Sequence, residues 1–203
     1  MNIKKIFQMS FFLPKYKNYK DLMAYDEEFN AVFRNGTKKL SIREKRSIEY
    51  RAVRLYRKHQ ANADTIWGVL YRIRLALLAK KTGIEFLGNR SLGPGLIIGH
   101  WGRIVINGNT RSGSDLMVTH GVTIGRDIRG KHKGYPTLGN RVCIRANSTV
   151  VGGIVIGDDV LIAPNTFVNF DVPSHSIVIG NPATIHPRKK ATEGHFGTLG
   201  ETI

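Results

Sequence analysis

Aliphatic side chains recur at every sixth position from residue 138 to residue 168, namely Leu138, Ile144, Val150, Ile156, Ile162 and Val168. The same frame runs towards the N-terminus through Ile124, Val118, Ser112, Ile106, Ile98, Leu92 and Phe86. Two extra residues interrupt it near His100, and eight more lie between Ile124 and Leu138. A period of six matches neither an amphipathic helix nor a single hairpin, and it indicates an internal repeat. The sequence therefore predicts a mainly β fold, a parallel β-helix in which three hexapeptides form each triangular coil.

Stacked coils are what such a repeat requires, because one coil alone cannot bury its apolar face. The frame holds about twelve hexapeptides and so predicts about four coils. Residues that favour tight turns lie between the aliphatic positions, as in Gly139-Asn140 and Gly157-Asp158-Asp159. A β-sandwich of short strands is the alternative, but its turns come about every 8–12 residues, which does not match the period.

Three segments are predicted along the chain. Residues 1–82 form a basic, helical N-terminal region, residues 83–187 form the β-helix, and residues 188–203 form a polar C-terminal tail that is expected to be mobile. The apolar stretch within Met1–Lys20 is short, contains polar residues and lacks a small-residue cleavage site. We therefore do not expect it to be a signal peptide.

Two helices are predicted before the β-helix. Ser41 followed by Glu44 is the pattern of a capping box, which predicts a helix that extends to His59. A second helix is predicted over residues 64–81, ending at Gly83. This second helix is apolar with basic insertions, so we expect it to cap the end of the β-helix, although it would also suit an anionic membrane surface.

Positive charge is concentrated in the N-terminal region. Residues 1–82 contain 19 Lys or Arg and 7 Asp or Glu, out of 31 and 15 in the whole chain. A basic region beside a nearly neutral domain suggests an anionic partner such as a membrane or an anionic glycan. No nucleic-acid-binding motif is recognisable, so nucleic acid is not expected to be a partner. The single Cys143 fits a reducing compartment, and no run of about 18 apolar residues predicts a membrane span.

Residues 83–187 resemble the serine acetyltransferase branch of the hexapeptide-repeat acyltransferases. The resemblance rests on the repeat and on three stretches, Gly99–Ile106, Gly121–Gly125 and Gly180–Ile185. It implies a left-handed β-helix, acetyl-CoA as co-substrate and no metal. It also implies a homotrimer, or a hexamer built from two trimers, with acetyl-CoA in the groove between neighbouring β-helices.

The resemblance also implies a catalytic base. His100 matches the catalytic histidine of these enzymes, and Glu85, fifteen residues earlier, matches their acidic partner, which is usually Asp. A histidine suits this role because its ordinary pKa, about 6.5, lies close to working pH. A carboxylate that accepts a hydrogen bond from one ring nitrogen would fix the tautomer and stabilise the imidazolium. The two-residue insertion is expected to expose His100 at a corner of the coil.

Further residues are assigned to acetyl-CoA and to the cleft. The cofactor-binding candidates are Thr123, Gly125, Arg126, Ala146, Ala163 and Lys189, of which Gly125 and Arg126 offer backbone N–H groups to the thioester oxygen. The inserted loop, residues 126–136, should project and cover the cleft. His120 could line the cleft or simply stack beside it. Cys143 is expected to be a small packed residue, so direct transfer without an acyl-enzyme is preferred.

The acceptor is predicted to be a sugar hydroxyl. Serine acetyltransferases carry Asp immediately before the catalytic histidine and a charged run at the end of the loop, where this chain has Gly99 and Lys133–Pro136. A zwitterionic acceptor needs charged partners, whereas Trp101 and Tyr135 offer aromatic faces for a sugar. We therefore expect a polysaccharide O-acetyltransferase that acts on a bacterial surface polysaccharide or its precursor. It would work in the cytoplasm, peripherally at the inner face of the membrane.

Three alternatives remain open from the sequence. The first is a serine O-acetyltransferase of cysteine biosynthesis. The second is a metalloenzyme like the γ-class carbonic anhydrases, for which His100, His120 and His132 are available but not well spaced. The third is a non-catalytic scaffold or binding protein.

Overall fold

A computed structural model describes residues 19–200, and in this range the chain forms helices first and strands afterwards. The helices are α1 (Tyr19–Asn35), α2 (Ile42–Lys45), α3 (Ile48–Ala61) and α4 (Ile66–Thr82). The strands are β1 (Ile84–Glu85), β2 (Ile97–Ile98), β3 (Ile104–Ile106), β4 (Arg111–Ser112), β5 (Leu116–Val118), β6 (Thr123–Gly125), β7 (Thr137–Leu138), β8 (Val142–Ile144), β9 (Thr149–Val151), β10 (Val155–Ile156), β11 (Val160–Ile162), β12 (Phe167–Val168), β13 (Ser176–Gly180) and β14 (Ala183–Pro187).

The strands form the three faces of a triangular β-helix. Face A contains β1, β3, β6, β9 and β12, face B contains β4, β7 and β10, and face C contains β2, β5, β8, β11, β13 and β14. All pairs are parallel except β13 with β14. Successive coils visit the faces in the order C, A, B. The predicted left-handed parallel β-helix of hexapeptide repeats, with helices before it, is confirmed.

The strand register explains the two breaks in the hexapeptide frame. Ile106 pairs with Ile124, which is one coil of three hexapeptides further along the chain. Ile84 pairs with Ile104, two positions more than one coil, because the corner at His100 holds two additional residues. Ile124 pairs with Val150, eight positions more than one coil, because the loop of residues 126–136 is inserted there. The insertions are therefore absorbed at the corners and leave the strands in register.

The aliphatic frame forms the core of the β-helix. Its positions are buried, with 0% exposure at Ile98, Ile106, Val118, Ile124, Leu138, Ile144, Val150, Ile156, Ile162 and Val168. Ala52 and Val53 of α3 and Leu75 of α4 join the same cluster at the first coil. This contact forms the predicted cap, which shields an end that would otherwise expose apolar side chains.

The helix predictions need two corrections. The helix expected from Ser41 to His59 is broken, since α2 ends at Lys45 and α3 starts at Ile48. The capping box of Ser41 and Glu44 is present, but the Ser47 side chain accepts a hydrogen bond from Tyr50 N and starts a new helix. Helix α1 lies in the region that was predicted to be helical, but its bounds were not predicted from the sequence.

A buried ion pair fastens the helices to the first coil. Arg57 Nε of α3 lies 2.6 Å from Asp26 Oδ2 of α1, and both side chains are 0% exposed. Arg57 also donates to the carbonyl oxygens of Leu92 and Gly93, and Asp26 Oδ1 accepts from Gly95 N at 2.7 Å. All the strong hydrogen-bonding groups of the pair are thus engaged, as a buried pair requires.

The segment after β14 was predicted to be a polar, mobile tail, but part of it is buried. Ala191, Thr192 and Phe196 are buried, and Ala191 and Phe196 pack with Phe29 of α1 over the outer side of face C. The outward residues of that face are apolar, among them Met117 and Cys143, so they need a cover. Residues 201–203, like the Met1–Lys20 segment up to residue 18, lie outside the described range.

Candidate functional site

Face C meets face A along a line of corners that we call the histidine edge, formed by residues 99–103, 119–122, 145–148 and 163–166. Backbone hydrogen bonds join the corners from coil to coil, with Gly121 N, Asn147 N and Asn165 N each donating to the coil before. The two-residue insertion pushes His100 and Trp101 outwards, and both are exposed, as the sequence predicted for His100. Arg103, in the same corner, is also exposed.

His100 and His120 lie beside each other on this edge. Ile98 pairs with Val118, so the two histidines follow their strands by the same two residues. Their ring centroids are 6.1 Å apart and the rings meet edge to face at 66°. The structure thus brings His120 next to the predicted base, which the sequence alone did not decide.

Glu85 does not contact His100 in the single chain. It lies on β1 opposite Val105 and lines a cavity of about 340 Å³ between α4 and the first coil, together with Ala76, Ala79 and Lys80. Within residues 19–200 no hydrogen bond links the Glu85 carboxylate to His100. The reason is topological, because Glu85 leaves from a strand of face A that α4 covers, whereas His100 leaves from the corner.

The small residues that were predicted to bind acetyl-CoA lie on two neighbouring surfaces. Ala146 and Ala163 lie on the histidine edge, in the coils that follow His120, where small side chains leave the corner shallow. Thr123 and Gly125 lie on the adjoining strand β6 of face A. Lys189 is exposed but follows Arg188, whose N–H donates to His175 O at a different edge.

The inserted loop closes on itself as a small hairpin. Asp127 and Gly134 exchange two backbone hydrogen bonds of 3.0 Å, and the Arg126 guanidinium lies 5.6 Å from the centroid of the Tyr135 ring. The loop follows β6, so it leaves the edge between faces A and B. Tyr135 and His100 therefore lie at opposite sides of face A within one chain.

A residue that the sequence analysis missed lies beside the base. Arg34 of α1 donates from Nη2 to Ile98 O at 2.9 Å, two residues before His100. Its Nε is buried and has no hydrogen-bond partner within residues 19–200. Burial lowers the pKa of this guanidinium despite the nearby carboxylates of Glu49 and Glu44. The sequence did not single out Arg34, because the helix that carries it was not delimited within the basic N-terminal region.

Packing explains why Gly99 has no side chain. A Cβ built at Gly99 would come within 2.9 Å of Thr119 Cγ2 and 3.8 Å of the Phe33 ring. Phe33 precedes Arg34 on α1, so the same helix lies beside Gly99 and brings a cation to this corner. The missing aspartate therefore reflects the close approach of Thr119 in the next coil, and it is weak evidence about the acceptor.

A second line of corners, between faces B and C, is chemically different. We call it the aspartate edge, formed by residues 93–96, 113–115, 139–141, 157–159 and 174–175. Asp115 accepts a hydrogen bond from the Tyr25 hydroxyl, and Asp159 accepts from Thr192 and from Ala191 N. His175 Nδ1 lies 2.9 Å from Asp159 Oδ2. The acidic side chains of this edge are occupied by the structure itself.

The Cys143 thiol and the arrangement of possible metal ligands also bear on the predicted chemistry. Burial raises the pKa of the Cys143 thiol to about 11, so it is a poor nucleophile and fits the expected packing role. Within residues 19–200, no group of three or more His, Cys, Asp or Glu side chains is placed to hold a metal ion.

Comparison with known proteins defines the class first. Residues 135–169 match the family described as bacterial transferase hexapeptide (six repeats). The described fold is similar to that of a Neisseria gonorrhoeae serine acetyltransferase in complex with serine, with a TM-score of 0.70 over 83% of this chain and 69% of that one, at 22% identity. A serine acetyltransferase in complex with CoA gives a TM-score of 0.70 at 21% identity, again over 83% and 69% of the two chains. Fold and repeats together define a left-handed β-helix that contains hexapeptide repeats.

The sequence relatives of this chain are serine acetyltransferases. Serine acetyltransferase from Helicobacter pylori (strain ATCC 700392 / 26695) is 43% identical over 102 residues, which are 50% of this chain and 60% of the relative. Serine acetyltransferase 2 from Arabidopsis thaliana is 28% identical over 174 residues, 81% of this chain and 54% of the relative. The chain thus spans less than two thirds of these relatives, and its similarity is to serine acetyltransferases.

These relatives overturn the predicted polysaccharide acceptor. That prediction, with the saccharide partner and the polysaccharide branch, rested on the side chains at Gly99 and Lys133–Pro136. It treated these two positions as sufficient to identify the acceptor. The structure shows that Gly99 is set by packing and that Arg34 supplies a cation at the same corner, so the argument from missing charges was wrong.

Proposed function

We propose that this protein is an acetyl-CoA-dependent acyltransferase that acetylates the hydroxyl group of L-serine. The observation that carries the proposal is the 43% identity to the Helicobacter pylori serine acetyltransferase over 102 residues. The exposed pair of His100 and His120 on an edge lined by small residues supports it. The products would be O-acetyl-L-serine and free CoA.

His100 is the proposed general base. It takes the proton from the serine hydroxyl as that oxygen attacks the carbonyl carbon of the thioester. When the carbon–sulfur bond breaks, the His100 imidazolium returns the proton to the leaving thiolate, so no proton is gained or lost. Backbone N–H groups near Gly125 and Arg126 are the proposed donors to the oxyanion. The reaction is direct, because buried Cys143 offers no exposed nucleophile.

His120 and Glu85 are proposed as supporting residues. His120 touches the ring of His100 and limits its orientation, so it is a positioning residue. Glu85 keeps its predicted role as the acidic partner only if the side chains move towards each other when substrate binds, because they are not hydrogen-bonded here. Exchange of Glu85 for Gln tests this role, since a true partner would alter the pH dependence of kcat.

Arg34 is the proposed partner of the serine carboxylate. Its guanidinium lies against Ile98 O, next to the proposed catalytic corner, and its buried Nε lacks a hydrogen-bond partner among the described residues 19–200. A buried donor without a partner is costly, and a carboxylate would satisfy it with a charge-assisted hydrogen bond. Arg103, exposed in the same corner, is a second cation that could attract the anion.

Acetyl-CoA is proposed to lie along the histidine edge. Ala146 and Ala163 would let the pantetheine arm approach the backbone, and Thr123 and Gly125 would line the adjoining face. Lys189 is proposed to contact the CoA phosphates from a neighbouring protomer, because it lies away from this edge in its own chain. Trp101, exposed beside His100, would shield the reacting groups from water.

A homotrimer is proposed because one chain does not hold the complete site. His100 and the loop with Tyr135 lie at opposite sides of face A, so a cleft that uses both must form between two copies. A cyclic arrangement of three β-helices would place the loop of each copy beside the histidine edge of the next.

The acceptor is tested by measuring free thiol released from acetyl-CoA. L-serine, L-threonine, glycine and a panel of oligosaccharides are compared at equal concentrations. We expect release with L-serine, weaker release with L-threonine and none with glycine, which has no hydroxyl group. Release with an oligosaccharide but none with L-serine would contradict the proposal.

The variant Arg34→Gln sharpens the same assay. Loss of a charge-assisted hydrogen bond predicts a KM for L-serine that rises roughly 10–100-fold, while the KM for acetyl-CoA stays unchanged. Arg34→Lys is the matched control that keeps the charge. An equal rise of both KM values would mean that Arg34 only supports the fold of α1.

The shared site is tested by mixing two inactive variants. His100→Ala is co-expressed with a variant that carries both Arg126→Ala and Tyr135→Ala. In random trimers with sites shared between neighbours, about a quarter of the sites contain an intact histidine and an intact loop, so activity returns. Two variants that remain inactive together, although mass measurements show mixed trimers, would contradict the shared site.

A further inference from the structure

Helix α4 is apolar on two opposite faces. Its inner face packs Leu75 and Leu78 against α3 and the first coil. Its outer face carries Ile66, Ile73 and Leu77, which are 77%, 52% and 60% exposed, with exposed Trp67 and Val69 beside them. A contiguous exposed apolar surface with polar residues around it is typical of an interaction site. The outer face therefore indicates a partner.

A basic cleft adjoins this apolar face. The cleft lies between α3 and α4, has a volume of about 500 Å³ and is lined by Arg51, Arg54, Lys58, Arg74 and Lys81. No carboxylate lines it, and none of the five cations forms an ion pair within residues 19–200. Leu77 belongs both to the cleft and to the exposed apolar row, so the two surfaces are continuous.

The positive charge of the cleft favours an anionic partner over a second copy of this chain. A second copy of this chain, with its net charge of +16, would bring the same cations face to face. Residues 1–18 contain four lysines and no acidic residue, so they would add positive charge. A free anion in solution would fill the cleft and leave the apolar row in water. An anionic phospholipid bilayer offers phosphate groups and acyl chains at the same surface.

We propose that the outer face of α4 and the α3–α4 cleft dock on an anionic phospholipid membrane. Ile66, Ile73 and Leu77 enter the boundary between headgroups and acyl chains, and Trp67 lies at the level of the headgroups. Arg51, Arg54 and Arg74 contact lipid phosphates. The contact is peripheral, since no helix within residues 19–200 is both long and apolar enough to cross a bilayer. This surface is separate from the histidine edge, and it does not depend on the acceptor proposed above.

Vesicle binding tests the proposal with two variants of the full chain. Phosphatidylcholine vesicles that contain 30% phosphatidylglycerol should bind the protein at low salt, and pure phosphatidylcholine vesicles should not. With about 1 kcal/mol for each cation near the surface, Arg51→Gln with Arg74→Gln should weaken binding about 25-fold. Ile73→Gln with Leu77→Gln should weaken it to a similar degree. Ile42→Gln with Arg43→Gln, on exposed α2, is the matched control and should bind as the wild type does.

Trp67 reports insertion directly. In a Trp101→Phe background, Trp67 is the one remaining tryptophan of the two in the sequence. Its emission should shift to shorter wavelength when anionic vesicles are added, and brominated acyl chains should quench it. The proposal would be overturned if the wild-type protein did not bind anionic vesicles. It would also be overturned by vesicle binding that neither α4 variant weakens, or by an apolar variant that changes the oligomeric mass but not vesicle binding.

Discussion

The histidine edge and the aspartate edge are two corners of the same repeat, yet they differ in how their polar groups are used. On the aspartate edge, Asp115 and Asp159 are buried and accept hydrogen bonds from α1 and from the C-terminal segment. On the histidine edge, His100 and His120 are exposed, and within residues 19–200 neither imidazole ring forms a hydrogen bond. The hydrogen-bonded carboxylates of the aspartate edge stabilise the fold. The two exposed imidazole rings of the histidine edge are available for a substrate. Substitutions on the aspartate edge should therefore change stability, and substitutions on the histidine edge should change activity.

The largest loss of stability is expected at the buried ion pair of Arg57 and Asp26, which connects α1 and α3 to the start of the aspartate edge. Arg57→Ala leaves the Asp26 carboxylate buried without its partner, which costs about 3–5 kcal/mol of unfolding free energy. Chemical denaturation measures this loss. Arg57→Met together with Asp26→Leu removes both charges and should recover most of the stability. A single variant as stable as the wild type would show that the ion pair does not hold α1 and α3 to the coil.

A smaller loss is expected from Asp159→Asn, which acts on the C-terminal segment. Burial alone would raise the pKa of Asp159, but hydrogen bonds from His175, Thr192 and Ala191 N outweigh it and lower the pKa to about 2. The depressed pKa means that the ionised form stabilises the fold by about 2 kcal/mol above pH 4, and that this stabilisation is lost as the pH falls towards 2.

Thermal unfolding as a function of pH measures the effect of Asp159→Asn. The variant should melt lower than the wild type at pH 7, and the difference should vanish near pH 2. Its kcat per folded molecule should equal that of the wild type. A variant with full stability and reduced kcat would reverse the assignment of the two edges.

The smallest effect is expected for His120→Asn on the histidine edge. An edge-to-face contact of two rings contributes about 0.5–1.5 kcal/mol, so kcat/KM should fall roughly 2–10-fold while the melting temperature stays constant. A positioning role also predicts a shifted pH profile for kcat. A loss above about 100-fold would instead identify His120 as the base.

The sequence was most informative where one physical constraint repeats. The six-residue frame predicted the coils, the buried column and the exposure of His100, because each aliphatic position meets the same environment in every coil. The cover of face C was not predictable in the same way. Phe29 and Phe33 of α1 pack on outward residues such as Met117 and Cys143, and nothing in the local pattern links segments so far apart.

The acceptor depended on single positions and could not be derived from a pattern. Gly99 was interpreted as a missing partner for an amino acid, although a side chain there would come too close to Thr119. Arg34 reaches the same corner from α1, outside the repeat. A binding site that is assembled from distant segments has to be seen in three dimensions.

The most direct test of the account is the rate at which O-acetyl-L-serine forms from L-serine and acetyl-CoA, measured by mass spectrometry for the wild type and for His100→Ala. The account predicts product from the wild type, a rate that is roughly 10²–10⁴-fold lower in His100→Ala, and the same melting temperature for both. Equal rates for the two proteins, or no O-acetyl-L-serine from a folded wild type, would contradict it.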